Sequence, residues 1–453
     1  MNALADCLIR PEDEEFDRRC SGWNTRIVHR PDYVIAARTP EHVEEAVRFA
    51  AQRRLPIRVH ATGHGALAAC VGGLLIDTSG IAGVEIDPSR KSALVGAGVR
   101  WQELLDAAQE HDLAGLAGSG STVGVVGYAL GGGAGWLARR YGLCSDRIEA
   151  AEVTTADGVR RWVSAEAEPD LLWALRGGGA NFGVVTALRL QLVPAATVYA
   201  GAIYWPMAKA REVLSAYREW LAEVPSDLGS AVAFLQYPAA APVPEPVRGT
   251  PVVALRLCCS GDSEQADHLL APMRKIAGAV LDTMRVMPFC EIGSVSMDSP
   301  LDLPRIGFSE SLSVLTDQMI AALPEVLTPG APFIAMELRH TAGGAARPPE
   351  SYEGLGYWSS SFLFFGMSVT PDPDSELAAV ALGERLNAVL KPSRTGTNAL
   401  TFLLPQQTPK GGGEVERVRQ AYRPTHYARL VELKNRYDPD NLLGGDRNIP
   451  PAT

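Results

Sequence analysis

The chain has 453 residues, of which 46% are hydrophobic and 21% are charged. Because single hydrophobic cores stop growing near ~250–300 residues, this length predicts a globular protein of more than one domain. The 52 acidic residues exceed the 42 Lys and Arg residues, and the formal net charge of −10 gives no basis for a nucleic-acid or anionic-membrane partner.

The N-terminus lacks the cationic start and apolar core of a secretory signal, and no apolar run is long enough for a transmembrane helix. The seven cysteines are scattered and form no CxxC pair. We therefore expect a cytoplasmic protein with reduced thiols and no metal site.

Strand-like and helix-like patterns alternate over residues 1–197. Thr39-Pro40-Glu41 predicts a helix start, since it supplies a hydroxyl cap, a proline at the first position and an acid in the first turn. Residues 74–77 and 92–99 predict strands, and apolar spacing over 101–108 predicts a helix. Asp157-Gly158 lies between two extended segments and predicts a β-hairpin.

From residue 198 the pattern changes. Longer amphipathic helices such as 208–223 alternate with strands such as 252–258, which predicts a second, α+β domain. The helical periodicity of the tail begins at Glu414 and stops at Tyr437-Asp-Pro-Asp-Asn441. We see no internal repeat.

Two glycine clusters, one at residues 63–65 and one at 118–133, each lie beside a predicted strand. Glycine permits positive φ and close approach of backbone N–H groups to an anion, so the two loops could wrap a pyrophosphate. Tight turns and close packing are the alternative explanation. Gly118-Ser-Gly-Ser-Thr-Val-Gly124 is one residue longer than the Rossmann fingerprint and lies far from the N-terminal strand, which disfavours a Rossmann dinucleotide site.

The same loops resemble the flavin domain of the berberine-bridge-type oxidases, which belong to the vanillyl-alcohol-oxidase/PCMH flavoprotein superfamily. The resemblance covers nearly the whole chain and rests on the ordered segments 61–65, 118–133, 139–143, 170–183, 337–340 and 427–441. It implies an α+β fold: a two-part PCMH-type FAD-binding domain at 1–197 and an α+β substrate-binding domain at 198–410, with an antiparallel sheet covered by helices. Residues 411–453 would then be a C-terminal segment that returns to the FAD domain.

The resemblance implies a role for His64, because the histidine of this segment is bonded to the 8α-methyl group of FAD in family members. A neutral imidazole is a competent nucleophile, and flanking glycines let it reach the flavin ring. A hydrogen-bonded structural histidine is the alternative. The resemblance also implies FAD contacts from His60, Ala61, Thr62, Gly63, Gly65, Gly118, Ser119, Gly120, Thr122, Val123, Gly124, Gly127, Tyr128, Gly131, Val185 and Asn448.

The chain departs from the family pattern in both loops. His60 stands where many members carry arginine, and Thr62 replaces the first glycine of the pair, so backbone amides must carry more of the pyrophosphate. Bicovalent members bind the flavin 6-position through a cysteine in the second loop, where this chain has Gly120. Cys144 comes too late to replace that cysteine. We therefore predict FAD with one covalent bond, through His64.

Three residues are candidates for catalysis. Tyr427 matches a tyrosine that faces the flavin in members, and it acts as a base only if its pKa falls below about 10. A core tyrosine on an amphipathic helix is the alternative. The predicted strand 334–340 places Glu337 and Arg339 on one face, where they either bind a polar substrate or pair with each other. Ala335 stands near the point where a relative carries lysine, which weakens the transfer of that relative's substrate to this chain.

The resemblance implies an FAD-dependent oxidase of a small secondary metabolite or alkaloid, and antibiotic-tailoring oxidases of actinomycetes share the pattern. An alcohol or amine would give hydride to flavin N5, and O₂ would be reduced to H₂O₂. The alternatives are a flavin-dependent tailoring enzyme for cyclisation, rearrangement or oxygenation, and a resistance flavoprotein that binds or reoxidises a drug. The expected partners are a small-molecule substrate and O₂, with no nucleic acid or membrane, in a monomer or homodimer.

Overall fold

The computed structural model describes residues 4–240, 243–299, 301–346, 354–355, 360–397, 399–404 and 414–452, and the strands of this part of the chain form three sheets. The first sheet contains Leu8–Ile9 (β1), Tyr33–Ala36 (β2), Ile57–His60 (β3) and Leu74–Asp77 (β4), in the order β1-β2-β4-β3. The second contains Val84–Asp87 (β5), Ser92–Gly96 (β6), Ile148–Thr154 (β7), Arg160–Ser164 (β8) and Val184–Gln191 (β9), in the order β5-β6-β9-β7-β8.

The third sheet is antiparallel throughout and follows the other two in the chain. Its strands are Thr197–Pro206 (β10), Leu228–Gln236 (β11), Pro251–Cys259 (β12), Leu281–Asp282 (β13), Arg285–Pro288 (β14), Arg305–Leu312 (β15), Ala335–His340 (β16) and Phe362–Val369 (β17). Their spatial order is β13-β10-β12-β11-β16-β17-β15, and β14 also pairs with β10.

The α-helices connect and cover these sheets. They are Phe16–Arg19 (α1), Pro40–Arg53 (α2), Trp101–Gln109 (α3), Val125–Leu130 (α4), Ala138–Tyr141 (α5), Pro169–Leu175 (α6), Ala210–Trp220 (α7), Ser263–Leu269 (α8), Ala271–Arg274 (α9), Gly293–Ser296 (α10), Asp317–Val326 (α11), Pro373–Leu390 (α12), Glu414–Arg419 (α13) and Pro424–Tyr437 (α14). None of these helices is both long enough and apolar enough to span a membrane.

Local signals in the first part of the chain lead to the predicted elements. Thr39 caps α2 by accepting the backbone N–H of His42 at 3.4 Å, and Pro40 is the first helical residue. Gly158, with φ of 73°, closes the predicted hairpin between β7 and β8. The first sheet joins β2, β4 and β3 in parallel, so β3 ends beside β4 and delivers residues 61–65 to one edge of the sheet.

The third sheet has two different faces. One face packs apolar side chains such as Val232, Phe234 and Leu338 against α7, α11 and α12, and forms the second hydrophobic core. The opposite face faces the first part of the chain and carries small and charged side chains, including Glu337 and Arg339. Period-two alternation along β16 separates the faces as predicted.

The tail of the chain returns to its beginning. Helix α14 packs on α6, and Leu430, Leu433 and Tyr437 belong to the hydrophobic core of the first two sheets. The predicted boundary between residues 410 and 411 lies outside the described residues. The residues after α14 continue to the edge of the cavity described next.

Candidate active site

A large cavity lies between the two glycine loops and the charged face of the third sheet. Its volume is about 440 Å³, and residues of β12, β16, β17 and the C-terminal segment complete its wall. The predicted cofactor contacts that line it are His60, Ala61, Thr62, Gly63, His64, Gly65, Gly118, Ser119, Gly120, Thr122, Val123, Gly124, Gly127, Tyr128, Gly131 and Val185. The fold thus brings together two loops that β4, β5, β6 and α3 separate in the sequence.

A close glycine–glycine contact shapes the first loop. Gly63 has φ of 65°, and a Cβ atom built on it would lie 2.7 Å from the Cα atom of Gly22. The backbone N–H of Trp23 donates to the carbonyl oxygen of Thr62 at 3.3 Å. Glycine is required at position 63 for both the positive φ and the close approach, and residues 22–23 therefore hold the loop from behind.

We expect Gly63→Ala to reduce FAD binding sharply. The left-handed backbone costs a residue with a Cβ atom about 1–2 kcal/mol, and the clash with Gly22 adds to this. Gly330→Ala is the matched control, because Gly330 also has a positive φ, of 82°, but does not line the cavity, and its Cβ atom would meet no atom within 4 Å. The measurement is the FAD content per purified chain. Equal content in the Gly63→Ala variant and the wild type would contradict the requirement for glycine.

The imidazole of His64 stacks on the indole of Trp23, with ring centroids 3.8 Å apart and an interplanar angle of 18°. Burial lowers the pKa of His64 to about 3, and the nearby Arg305 and Arg100 charges act in the same direction. The ring is therefore neutral near pH 7 and keeps the nitrogen lone pair that a nucleophile needs. Among the described residues it makes no hydrogen bond, which disfavours a hydrogen-bonded structural histidine.

Several buried polar atoms of the cavity wall have no partner among the described residues. They include Nδ1 of His60, the hydroxyl of Tyr128 and Nε1 of Trp23. Buried polar groups are normally hydrogen-bonded, so these atoms mark positions for a polar ligand. The glycine loops also lie close together, since a Cβ atom on Gly124 would be 3.7 Å from Thr62 Oγ1. A polar, partly aromatic ligand such as FAD fits this wall.

Position 120, where bicovalent family members carry the cysteine that binds the flavin, has a glycine and therefore no thiol. A Cβ atom on Gly120 would lie 3.3 Å from Val123 Cγ2 and 3.6 Å from Asp298 Oδ2, which belongs to the opposite wall. Cys144 is buried and is not among the residues that line the cavity, and burial raises the pKa of its thiol. Neither position supplies the thiolate needed for a second bond, which supports the prediction of a single attachment.

The third sheet contributes a buried group of three charged side chains, Arg256, Glu337 and Arg339. Arg256 Nη1 donates to Glu337 Oε2 at 2.7 Å, and Arg339 Nε donates to Glu337 Oε1 at 2.8 Å. Burial alone would raise the pKa of Glu337, but the Arg339 and Arg256 guanidiniums lower it below its ordinary value. Glu337 is therefore an ionised carboxylate. The ion pair between Glu337 and Arg339, one of the two predicted alternatives, is present, and Arg256 joins it as a third charged residue.

Arg256 is the member of this group that the sequence analysis missed. Arg256 reaches the other two because the intervening strand β11 carries small side chains there. Ala231 pairs with both Arg256 and Arg339, and Ala233 pairs with Glu337. A signal was present, since Arg256 is the only charged residue of the apolar segment 251–259. A charge in a strand that is otherwise buried needs a partner nearby.

Aromatic rings fix the orientation of Arg339. Its guanidinium lies 4.9 Å from the ring centroids of both Trp136 and Phe365, at cation–π distance. Phe365 lines the cavity itself and pairs with Glu337 across β17 and β16. The charged group is thus held rigidly against an apolar surface, as a site that orients a small organic molecule requires.

Two predicted contacts do not line the cavity. Tyr427 lies half-buried on α14, with its ring centroid 6.3 Å from that of Tyr422, and packs against the core of the first two sheets. Its helical spacing turns it to the core, and burial raises its pKa, the opposite of what a base needs. The catalytic role of Tyr427 stays a prediction. Asn448 lies one residue beyond the wall-lining Arg447, and its Oδ1 has no partner in the described chain.

The C-terminal segment closes one side of the cavity through Asp446 and Arg447, which the sequence analysis also missed. Arg447 donates to the carbonyl oxygen of Gly65 at 2.7 Å and to two carbonyl oxygens in residues 400–403. Asp446 accepts the backbone N–H groups of residues 67 and 68. The last residues of the chain therefore hold the far end of the His64 loop.

His29 on the cavity wall predicts a pH dependence of stability. Its Nδ1 accepts the backbone N–H of Cys70 at 2.9 Å, and burial, together with neighbouring His60, lowers the pKa of His29 to about 4. Between about pH 6.5 and 4 the unfolded chain binds a proton that the folded chain does not. The free energy of unfolding therefore decreases as the pH is lowered, by on the order of 1 kcal/mol per pH unit. Unfolding titrations across this range should show a weaker dependence for His29→Gln. An unchanged dependence would contradict this assignment.

The comparisons with known proteins agree with this geometry. A family model described as an FAD binding domain matches residues 31–164, which include both glycine loops. A second, described as berberine and berberine like, matches residues 394–450, which include Asp446 and Arg447. The two matched regions together contain His64, the second glycine loop and the C-terminal residues Asp446 and Arg447, all of which line the cavity.

Several known proteins match over nearly the whole chain. (R)-6-hydroxynicotine oxidase of Paenarthrobacter nicotinovorans is 27% identical over 98% of this chain and 96% of its own. A crystal structure of 6-hydroxy-D-nicotine oxidase from Arthrobacter nicotinovorans superposes with a TM-score of 0.83, at 25% identity over 98% of both chains. Xylooligosaccharide oxidase of Myceliophthora thermophila shares the fold, with a TM-score of 0.82 at 20% identity over 100% of this chain and 98% of its own.

These matches confirm the predicted fold class of a PCMH-type FAD-binding domain with a helix-covered antiparallel sheet. They also agree with the cavity, whose glycine loops and unpartnered polar atoms suit FAD. The chain contains an FAD-binding domain and a berberine-like domain, and it is an FAD-linked oxidoreductase similar to 6-hydroxynicotine oxidase over nearly its whole length.

Proposed function

We propose that the enzyme holds FAD covalently through His64 and oxidises an alcohol or amine group of a small secondary metabolite or alkaloid. The observation that carries the proposal is the neutral, stacked imidazole on the wall of the glycine-loop cavity. Bound FAD supplies the redox chemistry, with O₂ as the final electron acceptor. The oxidase names of the full-length relatives support the same reaction class.

The third sheet supplies the groups that orient the substrate. Glu337 is an ionised carboxylate on the cavity wall, and its two oxygens offer about four acceptor positions, only part of which the guanidiniums use. A substrate O–H or N–H group can therefore donate to Glu337. Phe365 provides an apolar surface beside it. A hydrogen bond at one end and an apolar contact at the other fix the direction of the reacting C–H bond.

The FAD domain supplies the other half of the site. The two glycine loops leave backbone amides for the cofactor, and Tyr128 presents a hydroxyl that burial keeps protonated by raising its pKa. His64 would hold the ring at one edge. With this attachment the cofactor stays in the enzyme through repeated turnovers.

Anaerobic mixing with a panel of small alcohols and amines tests the function. Loss of the visible flavin absorbance, followed by peroxide release when air is added, is the expected result for an oxidase. Tight binding without bleaching would support a drug-binding flavoprotein instead, and product formation without peroxide would support a tailoring enzyme. Purification of a colourless protein would contradict all three functions.

A further inference from the structure

Three planar side chains stack where the flavin-binding part of the chain meets the third sheet. The His64 imidazole lies on the Trp23 indole at 3.8 Å, and the Arg305 guanidinium carbon lies 3.7 Å from the centroid of the same indole. We call these three residues the Trp23 stack. All three line the cavity, and Arg305 is the first residue of β15 in the third sheet.

Backbone and side-chain hydrogen bonds on both sides hold the Trp23 stack in place. Trp23 donates its backbone N–H to Thr62, so the indole is held in register with the His64 loop. On the other side, the Asn24 side chain accepts the Arg305 backbone N–H at 2.8 Å and donates to the Arg305 carbonyl oxygen at 3.0 Å. The pair Trp23–Asn24 thus ties the loop that carries the cofactor anchor to the sheet that binds substrate.

The direct hydrogen-bond partners of the Arg305 guanidinium are backbone carbonyl oxygens. The side chain is 1% exposed, and its guanidinium donates to the carbonyl oxygens of Trp23 at 2.8 Å and Leu301 at 2.6 Å. Among the described residues, no carboxylate lies within ion-pair distance of it. Burial lowers the pKa of Arg305 to about 10, against the opposing effect of the Asp302 and Asp298 charges, so the guanidinium stays protonated at neutral pH. A buried cation without a carboxylate partner is costly, which points to a role beyond packing.

We propose that Trp23 and Arg305 are positioning residues for the attachment of FAD to His64. Trp23 fixes the plane of the imidazole by stacking, and the Arg305 cation beside the same indole disfavours the imidazolium form, which cannot attack. This role rests on the proposed covalent attachment. Attachment joins an imidazole nitrogen to the 8α-carbon and breaks one methyl C–H bond and the imidazole N–H bond. The two electrons and two protons released reduce O₂ to H₂O₂.

The test measures attachment separately from binding. Chains isolated from riboflavin-starved cells are mixed with excess FAD in air, and intact mass spectrometry of denatured samples follows the fraction that carries FAD. Flavin absorbance of the native protein reports total binding. We expect Trp23→Ala and Arg305→Gln to bind FAD but to attach it about 10- to 100-fold more slowly, the size of effect expected from small misplacements of reacting groups. Trp23→Phe keeps a flat ring and should remain close to the wild type.

Trp162→Ala is the matched control, since Trp162 is an exposed tryptophan that also contacts an arginine, Arg189 at 5.4 Å, but lies on β8. It should attach FAD at the wild-type rate. Attachment at the wild-type rate in Arg305→Gln would overturn the proposal. This holds even if thermal melting shows that Trp23→Ala does not fold. A wild-type chain that binds FAD but never attaches it would instead contradict the covalent bond at His64.

Discussion

Replacing Glu337 by glutamine is expected to lower the free energy of unfolding by about 3–5 kcal/mol, because removal of one member of a buried charged group leaves its partners uncompensated. Here two guanidiniums, those of Arg256 and Arg339, would lose the carboxylate that they share in a site that is 3–4% exposed. If Glu337 accepts the substrate's hydrogen bond as proposed, oxidation should also become slower, since the neutral amide of glutamine is a weaker acceptor than a carboxylate. Denaturant unfolding and steady-state peroxide release measure the two effects.

Glu325→Gln is the control for that experiment. Glu325 pairs with Arg211 at 3.3 Å, but its side chain is 74% exposed and that of Arg211 is 57% exposed. Exposed ion pairs contribute about 0–1 kcal/mol, so this variant should remain near the wild type in both assays. Equal stability of the Glu337→Gln and Glu325→Gln variants would mean that the buried charged group does not hold the third sheet together.

Asp438→Ala is expected to have the second largest effect. Asp438 follows α14 and accepts Lys434 Nζ at 2.6 Å and the backbone N–H groups of Leu442 and Leu443 at 2.8 Å each, and both charged side chains are fully buried. Removing the carboxylate leaves a buried ammonium unpaired, which costs about 3–5 kcal/mol. The segment that carries Leu443 and Arg447 to the cavity would lose its anchor, so FAD content should fall together with stability.

Asp440→Ala provides the comparison for this prediction, because Asp440 is exposed and lies only two residues further along. It should change neither the unfolding midpoint nor the FAD content. A stable Asp438→Ala variant with full FAD content would show that the C-terminal segment is held at the cavity by other contacts.

Features determined by neighbouring residues could be predicted from the sequence. The Thr39 cap, the Asp157-Gly158 hairpin and the alternation that separates Glu337 from Leu338 each depend on a few adjacent positions. The two glycine loops could also be placed at one cavity, because they match a family pattern.

Features that depend on pairing between distant segments could not be predicted from the sequence. Arg256 reaches Glu337 only because β12, β11 and β16 are neighbours, and nothing local in the sequence states this order. The contact of Trp23 with Arg305 is also long-range, because it joins the segment between α1 and β2 to strand β15 of the third sheet. For Tyr427, helical spacing shows that the side chain is buried but not which cavity or core buries it.

Mass spectrometry of the denatured wild-type protein tests the central claim most directly. The account predicts a mass increment of one FAD per chain, located after proteolysis on the peptide that contains His64 and absent from His64→Ala. A chain that binds FAD in the native state but has the unmodified mass after denaturation would contradict covalent attachment. An increment on a peptide that contains a cysteine but not His64 would contradict the assignment of the anchor.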